Sequence, residues 1–274
     1  MIAELADSHG HLTMVWGGGE MKGAPRAPSA AEVKELVGRA RDAGVTRILV
    51  PATDRDDQRR TVEIAEAHEG VYAAVGFHPH EAKAFDEDRD VKLFEDLCAS
   101  KKVVAVGEIG LDYHYDNTPR DVQKRAVAAQ LRFARERNLP VLLHNRLSEA
   151  DLLRILEKEN PGSPAELRGV FHSFCADVAT GERALALGYL VSFSGMLTFK
   201  TADNVRAAAA ALPLASMLIE TDAPYLAPVP FRGKPNESSY LPRTAARLAE
   251  VKAVSVEEVA RATTENFRRL FRVS

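Results

Sequence analysis

Short apolar segments alternate along the chain with segments that carry hydrophobic residues at helical spacing. Segments such as VTRILVPAT, VYAAVGFH and VVAVGEIGL are apolar almost throughout, which is typical of strands buried on both faces of a parallel sheet. Eight strand–helix units follow one another in 274 residues. That number predicts a closed (β/α)8 barrel, the TIM barrel of the α/β class. No G-x-G-x-x-G follows the first strand, which disfavours a dinucleotide-binding sheet.

Capping residues and glycines mark where the predicted helices begin and end. Ser29 is an expected N-cap and Gly44 the glycine after the first helix, and the second helix spans about Asp54–Glu69 before Gly70. The stretch VWGGGEMKGAPRAPSAA between the first strand and the first helix is rich in glycine and proline and is predicted to be a loop. Further helices are predicted over about Asp88–Ser100, Pro119–Arg137, from Ser148, Asp177–Leu187, Thr201–Ala211, and after Glu237 and Ser255.

Composition agrees with one globular domain over residues 1–274. Hydrophobic residues make up 46% of the chain, enough for a large core. No apolar run reaches the ~20 residues of a membrane helix, and no basic segment of a signal peptide opens the chain. Cys98 and Cys175 are too few for a disulfide framework. We therefore expect a cytoplasmic protein without a membrane partner.

The formal net charge of −3 provides no basic footprint of a nucleic-acid-binding scaffold. A nucleic-acid enzyme is still compatible with this charge, because bound divalent cations would supply positive charge at the site.

Imidazoles and carboxylates follow the apolar strands. In a strand, residues i and i+2 point to the same face, so an H-x-H pair presents two nitrogen ligands side by side. The strand C-termini of a barrel meet on one face, where barrel enzymes place their chemistry. We therefore expect six residues from distant parts of the chain to converge there: His9, His11, Glu108, His144, His172 and Asp222.

Strands commonly end in polar residues because the chain is reaching solvent, which explains any one of these positions. It does not explain why most of them are imidazoles and carboxylates, so the group favours a metal site. His80 and His114 lie past their strand ends and are interpreted as solvated or supporting residues. Cys175, three residues after His172, is interpreted as a packing residue of its loop.

Six ligands are too many for one tetrahedral ion, but they suit two ions about 3.5–4 Å apart. Glu108 is the expected bridge, with His9, His11 and Asp222 on one ion and His144 and His172 on the other. Mixed imidazole and carboxylate ligands suit Zn, Mn, Co or Fe better than a pure Mg site. The expected reaction is hydrolysis, with Asp222 accepting a proton from water.

The motifs DSHGHL, GFHPHEA, GEIGLDYH, PVLLHNR, HSF and ETDAPYLAP…FRGKPNES, in this order, resemble those of the TatD-related metal-dependent hydrolases of the amidohydrolase superfamily. The resemblance runs from residue 7 to the C-terminal TTENFRRLF. It implies a TIM barrel with one or two divalent cations and Mg²⁺- or Mn²⁺-dependent deoxyribonuclease activity, often in the 3′→5′ direction. It also implies that the metal ligands are His9, His11, Glu108, His144, His172 and Asp222, and that His78 contacts a phosphate.

One motif departs from the family pattern. Arg146 is followed by Leu147 and Ser148, where the family usually has Asp-Ala. The first loop, with its GGG and two prolines, is also longer than usual, so it could cover the site and alter the choice of substrate.

Three readings of the function stay open. The first is a deoxyribonuclease acting on single-stranded DNA ends, with two divalent ions (Mg, Mn or Zn), Asp222 and Glu108 as catalytic residues, and no protein partner. Its phosphate contacts would be His78, Arg146 and Arg232, with Lys234 close by. The second is a metallohydrolase of another ester, such as D-aminoacyl-tRNA or a small molecule. The third is a non-catalytic barrel, which the intact ligand positions disfavour.

Overall fold

Eight parallel strands form one sheet whose spatial order follows the chain, so the predicted (β/α)8 barrel is confirmed. The computed structural model describes residues 4–16, 21, 23–160 and 168–274. The strands are β1 Leu5–Asp7, β2 Val45–Pro51, β3 Val71–Val75, β4 Val103–Asp112, β5 Val141–Arg146, β6 Gly169–Phe171, β7 Tyr189–Phe193 and β8 Met217–Ile219.

The ends of β8 and β1 are joined by backbone hydrogen bonds. The Ser8 N–H donates to the Ile219 carbonyl at 3.1 Å, and the Asp222 N–H donates to the His9 carbonyl at 2.8 Å. The buried Asp7 carboxylate reinforces this junction, because it accepts from the Thr221 N–H at 2.9 Å and from the Ser238 hydroxyl at 2.7 Å. The first and last strands are thereby held together at the face where the predicted ligands lie.

Helices cover the outside of the sheet and begin close to the predicted caps. Ser29 and Glu32 form a reciprocal capping box at the start of the first helix, and Ser255 caps the last one. The helices are α1 Ala30–Asp42, α2 Arg55–Ala67, α3 Glu87–Leu97, α4 Arg120–Glu136, α5 Glu149–Glu159, α6 Val178–Ala186, α7 Asp203–Ala211, α8 Leu241–Lys252 and α9 Val256–Phe271. No helix in these described ranges is long and apolar enough to cross a bilayer.

The core has two parts, because alternate strand residues point to opposite faces of the sheet. Ile48 and Val50 of β2 belong to the large cluster between the strands and the surrounding helices. Leu49 belongs to a smaller cluster inside the barrel, where Phe267 and Phe271 of α9 join the inward-facing strand residues. The strands are thus packed against side chains on both faces of the sheet, and their ends carry the site.

Two strands end earlier than the sequence pattern predicts. Strand β1 ends at Asp7, so His9 and His11 follow the strand instead of lying in it, and β3 ends at Val75, before His78. The Asp7 side chain accepts from the His9 N–H at 3.3 Å, and beyond it the Gly10 N–H still donates to the Leu49 carbonyl of β2 at 3.0 Å. In the loop after β1, Val15 pairs with Arg26. Our expectation that the GGG segment covers the site concerns residues outside the described ranges.

Candidate metal centre

The six predicted ligands meet at the C-terminal ends of the strands. Glu108 lies within β4 and His144 within β5, and the other four directly follow β1, β6 and β8. The Nδ1 atom of His144 is 2.9 Å from Oε1 of Glu108, and the Nε2 atoms of His9 and His11 are 3.2 Å apart. The structure therefore brings all six side chains into one cluster, and their role as metal ligands stays a prediction.

Glu108 stands at the centre of this cluster, with its two oxygens facing different histidines. Oε2 lies 3.3 Å from the Nε2 atom of His9 and 3.8 Å from that of His11. Oε1 lies 2.9 Å from both His144 Nδ1 and His172 Nε2. This is the geometry expected of a carboxylate that bridges two ions.

One predicted ligand lies near both halves of the cluster. Asp222 faces His9 and His11, with its Oδ1 at 3.8 and 3.7 Å from their Nε2 atoms. His172 lies near both halves of the cluster, since its ring stacks on that of His9 at 4.0 Å and also approaches Glu108. Potential ligand atoms of His9, His172 and Asp222 all lie within 4.8 Å of one another.

The donor set fits divalent cations. Two nitrogens bound tetrahedrally to one ion at 2.0–2.1 Å would lie about 3.3 Å apart, close to the 3.2 Å that separates His9 from His11 and His144 from His172. Burial by itself raises the pKa of the Glu108 carboxyl, but the imidazole of His172, together with other histidines of the cluster, outweighs it and holds that pKa well below its usual range. The centre therefore presents an ionised carboxylate among nitrogen donors.

Close contact between β4 and β5 places Glu108 beside His144. Gly110 is paired with His144, and a Cβ at Gly110 would lie 1.9 Å from the His144 carbonyl oxygen. With a φ of 147° as well, this position requires glycine. The glycines of the GEIG motif thus let the two ligand-bearing strands approach.

Asp112 orients His144, a role that the sequence analysis did not assign. Its Oδ2 accepts from Nε2 of His144 at 3.1 Å and from Nε2 of His80 at 3.0 Å. With the proton of His144 on Nε2, the lone pair of Nδ1 is free to face the metal site. The signal was present in the GLDYH motif, four residues after Glu108, as a carboxylate on the same face of a strand.

Glu220 orients His172 in the same way. Its Oε1 lies 3.2 Å from Nδ1 of His172 and accepts from the Ser173 N–H at 2.8 Å. Burial by itself lowers the pKa of His172, but Glu108 and Glu220 together raise that pKa well above its usual value. Metal-binding histidines commonly donate their second ring N–H to a carboxylate, and here Asp112 and Glu220 are the carboxylates that face His144 and His172.

His78 is better suited to donate a hydrogen bond than to bind a metal. Its Nδ1 accepts from the His80 N–H at 3.2 Å, which leaves the proton on Nε2, 3.4 Å from Oε1 of Glu108. Burial lowers the pKa of His78 to about 4, so the ring is neutral and carries one N–H. That N–H points into the cluster, in agreement with the expected phosphate contact, which stays a prediction.

Asp222 is held in an uncommon backbone conformation. Its φ of 54° is in the left-handed region, which Asp tolerates better than most residues. The Asp222 N–H is bonded to His9, and the side chain lines the cavity above the cluster. Burial raises the pKa of this carboxyl to about 7 in the absence of a cation.

A cavity of about 710 Å³ opens above the cluster and receives side chains from several loops. Arg146, Tyr115, Cys175 and Tyr225 line it, whereas Tyr113 donates its hydroxyl to Asp151 at 2.8 Å outside it. Of the predicted phosphate contacts, Arg146 borders this cavity. Arg232 is not among the described residues that do, and its guanidinium lies 3.7 Å from the centre of the Phe199 ring.

Fold and site together define a metal-dependent hydrolase: a (β/α)8 barrel with clusters of His, Glu and Asp able to hold divalent ions at its strand ends. The family model described as TatD related DNase matches residues 6–272, and the chain belongs to this family.

Three comparisons support this assignment. The chain is 40% identical over 243 residues to the uncharacterized metal-dependent hydrolase YabD of Bacillus subtilis, with 89% of this chain and 94% of that protein covered. It is 37% identical to the uncharacterized metal-dependent hydrolase TatD of Mycobacterium tuberculosis, with 97% of each covered. The crystal structure of YjjV, a TatD homolog of Escherichia coli, superposes with a TM-score of 0.88 at 32% identity over the whole of both chains.

Proposed function

We propose that the protein is a divalent-metal-dependent deoxyribonuclease that hydrolyses phosphodiester bonds at the ends of single-stranded DNA, preferentially from the 3′ end. The observation that carries the proposal is the two-sided environment of Glu108, with imidazole nitrogens facing both of its oxygens. Two ions placed this way are a common solution for phosphodiester hydrolysis, because they stabilise both the attacking and the leaving oxygen.

The side chains around the cluster suit a phosphodiester. Divalent ions at this site would lower the pKa of a water molecule and polarise the ester. The Nε2–H of His78 donates to a non-bridging oxygen, and Asp222 accepts the proton of the attacking water. Arg146, at the mouth of the cavity, binds a phosphate through two parallel N–H donors.

The shape of the site favours a strand end. Glu108 is 3% exposed and His9 is fully buried, so the ligands lie well below the loops that surround them. A continuous duplex cannot lower its backbone into such a cavity without being opened, whereas a frayed or single-stranded terminus can enter. The net charge of −3 leaves binding to depend on the ions and a few cations near the site.

The proposal is tested with end-labelled linear single strands and a closed circular single strand of matched sequence, each incubated with Mg²⁺ and with Mn²⁺. We expect the linear strands to be shortened from the 3′ end and the circle to resist. The matched control is Glu108→Gln, which keeps the shape of the side chain and loses its charge, and we expect it to be inactive on both.

Equal cleavage of circle and linear strand would contradict the dependence on ends. Failure to cleave any DNA, together with hydrolysis of D-aminoacyl-tRNA or a small ester, would replace the proposal with the second reading of the sequence.

A further inference from the structure

Large hydrophobic side chains are exposed mainly around the mouth of the metal site. Within the described ranges five are exposed, and four of them lie in loops that follow β1, β4, β5 and β8. These four are Met21, Tyr115, Leu147 and Val229. Exposed apolar side chains gathered at one face are characteristic of a surface that binds a partner or substrate.

Tyr115 is the aromatic member of this group and is fixed close to the metal centre. It is 55% exposed, yet its N–H donates to Oδ1 of Asp112 at 3.0 Å. The other oxygen of Asp112 holds His144, so one carboxylate positions both the ring-bearing loop and a predicted ligand. The Tyr115 ring also lies perpendicular to that of His80, with the two centres 5.5 Å apart.

Arg146 lies against the same ring. Its guanidinium carbon is 4.9 Å from the centre of the Tyr115 ring, and both residues line the cavity above the metal cluster. Across the described parts of the chain, the Arg146 side chain makes no hydrogen bond or ion pair. A guanidinium that stacks on a ring keeps its N–H donors in its own plane, where they are free to bind a phosphate.

We propose that Tyr115 and Arg146 form a binding position for one unpaired nucleotide next to the scissile phosphate, with the base stacked on Tyr115 and its phosphate bound by Arg146. This inference rests on the proposed function and adds a specificity determinant to it. Stacking on an aromatic ring is tolerant of sequence, because every base has a flat π face. The position therefore selects for single-stranded character rather than for a particular base.

Leu147 follows Arg146 directly in the chain. It is 66% exposed and has a φ of 55°, a backbone conformation that leucine rarely adopts. It also occupies the position where this sequence departs from the Asp of the family pattern.

The test compares two substrates and four enzymes. One substrate is a linear single strand with an ordinary 3′ end, and the other carries abasic tetrahydrofuran residues at its three terminal positions. The enzymes are the wild type, Tyr115→Leu, Tyr115→Phe and the control Val256→Ala, which truncates an exposed hydrophobic residue at the start of α9. The ratio of kcat/KM between the two substrates is the readout, because it is independent of the fraction of folded enzyme.

For the wild type, Tyr115→Phe and Val256→Ala, we expect the base-bearing strand to be preferred about 5- to 150-fold. Tyr115→Leu is expected to lose most of this preference, mainly through a higher KM for the base-bearing strand. An unchanged preference in Tyr115→Leu, or an equal loss on both substrates, would overturn the inference while the proposed nuclease function stands. If the wild type cleaves neither strand, the proposed function itself fails.

Discussion

Replacing Asp112 with Asn should reverse the protonation of His144. Oδ1 of Asp112 accepts from the N–H groups of His114 and Tyr115 at 2.9 and 3.0 Å. If the Asn oxygen keeps those two bonds, its NH₂ group takes the place of Oδ2 and faces Nε2 of His144. An amide nitrogen only donates, so the proton of His144 has to move to Nδ1. That atom is the one that lies 2.9 Å from Glu108 and is expected to bind a metal.

The expected loss of metal affinity is the same for both orientations of the new amide. The opposite orientation of the amide would leave the backbone N–H groups of His114 and Tyr115 without their acceptor. Either orientation therefore weakens the centre. We expect a 10- to 100-fold loss of metal affinity, the range found when a carboxylate behind a metal-binding histidine is removed.

The assay is calorimetric titration of the metal-free protein with Mn²⁺, together with thermal unfolding to confirm that Asp112→Asn is folded. The matched control is Asp116→Asn in the same loop, where the carboxylate pairs with Arg120 on the surface. A metal affinity of Asp112→Asn within twofold of the wild-type value would refute the proposed orientation of His144.

Three further changes have defined outcomes. Asp222→Asn should lower kcat by ~10²–10⁴ at saturating metal through loss of the base, and near wild-type turnover would contradict that role. Burial raises the pKa of Asp57 to about 6, so the folded state holds this proton more tightly and stability falls as pH rises from about 4 to 6. Asp57→Asn should remove this pH-dependent loss of unfolding free energy, which amounts to at most about 3 kcal/mol and is measured by urea unfolding. The exposed Asp56→Asn is the control, and an unaltered pH profile in Asp57→Asn would contradict the prediction. Leu147→Asn should raise the free energy of unfolding by about 1 kcal/mol, because Asn tolerates positive φ better than Leu; a lower urea midpoint would count against this.

The barrel and the cluster were predictable because they depend on features that one sequence carries. Apolar strands of a parallel barrel end on one face, so Glu108 in β4 and His144 in β5 had to approach each other. Helix starts such as Ser29 and Ser255 were predictable because capping is local.

The role of Asp112, the exposure of Tyr115 and the end of β1 depend on tertiary contacts, which cannot be read from one sequence. The role of Asp112 rests on which oxygen meets which imidazole nitrogen, and the register of β4 against β5 determines that. The exposure of Tyr115 depends on the path of its loop, whereas the hydroxyl of the neighbouring Tyr113 donates to Asp151. The position of His9 after the end of β1 likewise depends on tertiary contacts, because the buried Asp7 side chain accepts from the N–H groups of both His9 and Thr221.

We propose that Glu108 joins two divalent ions, and the number of ions bound by each chain is the test of this bridge. Metal-free protein is titrated with Mn²⁺ by calorimetry, and bound metal is counted after gel filtration. We predict two ions for each wild-type chain, and for folded Glu108→Gln the loss of at least one. Wild-type protein that binds no divalent ion, or Glu108→Gln that binds two with unchanged affinity, would contradict a bridging Glu108.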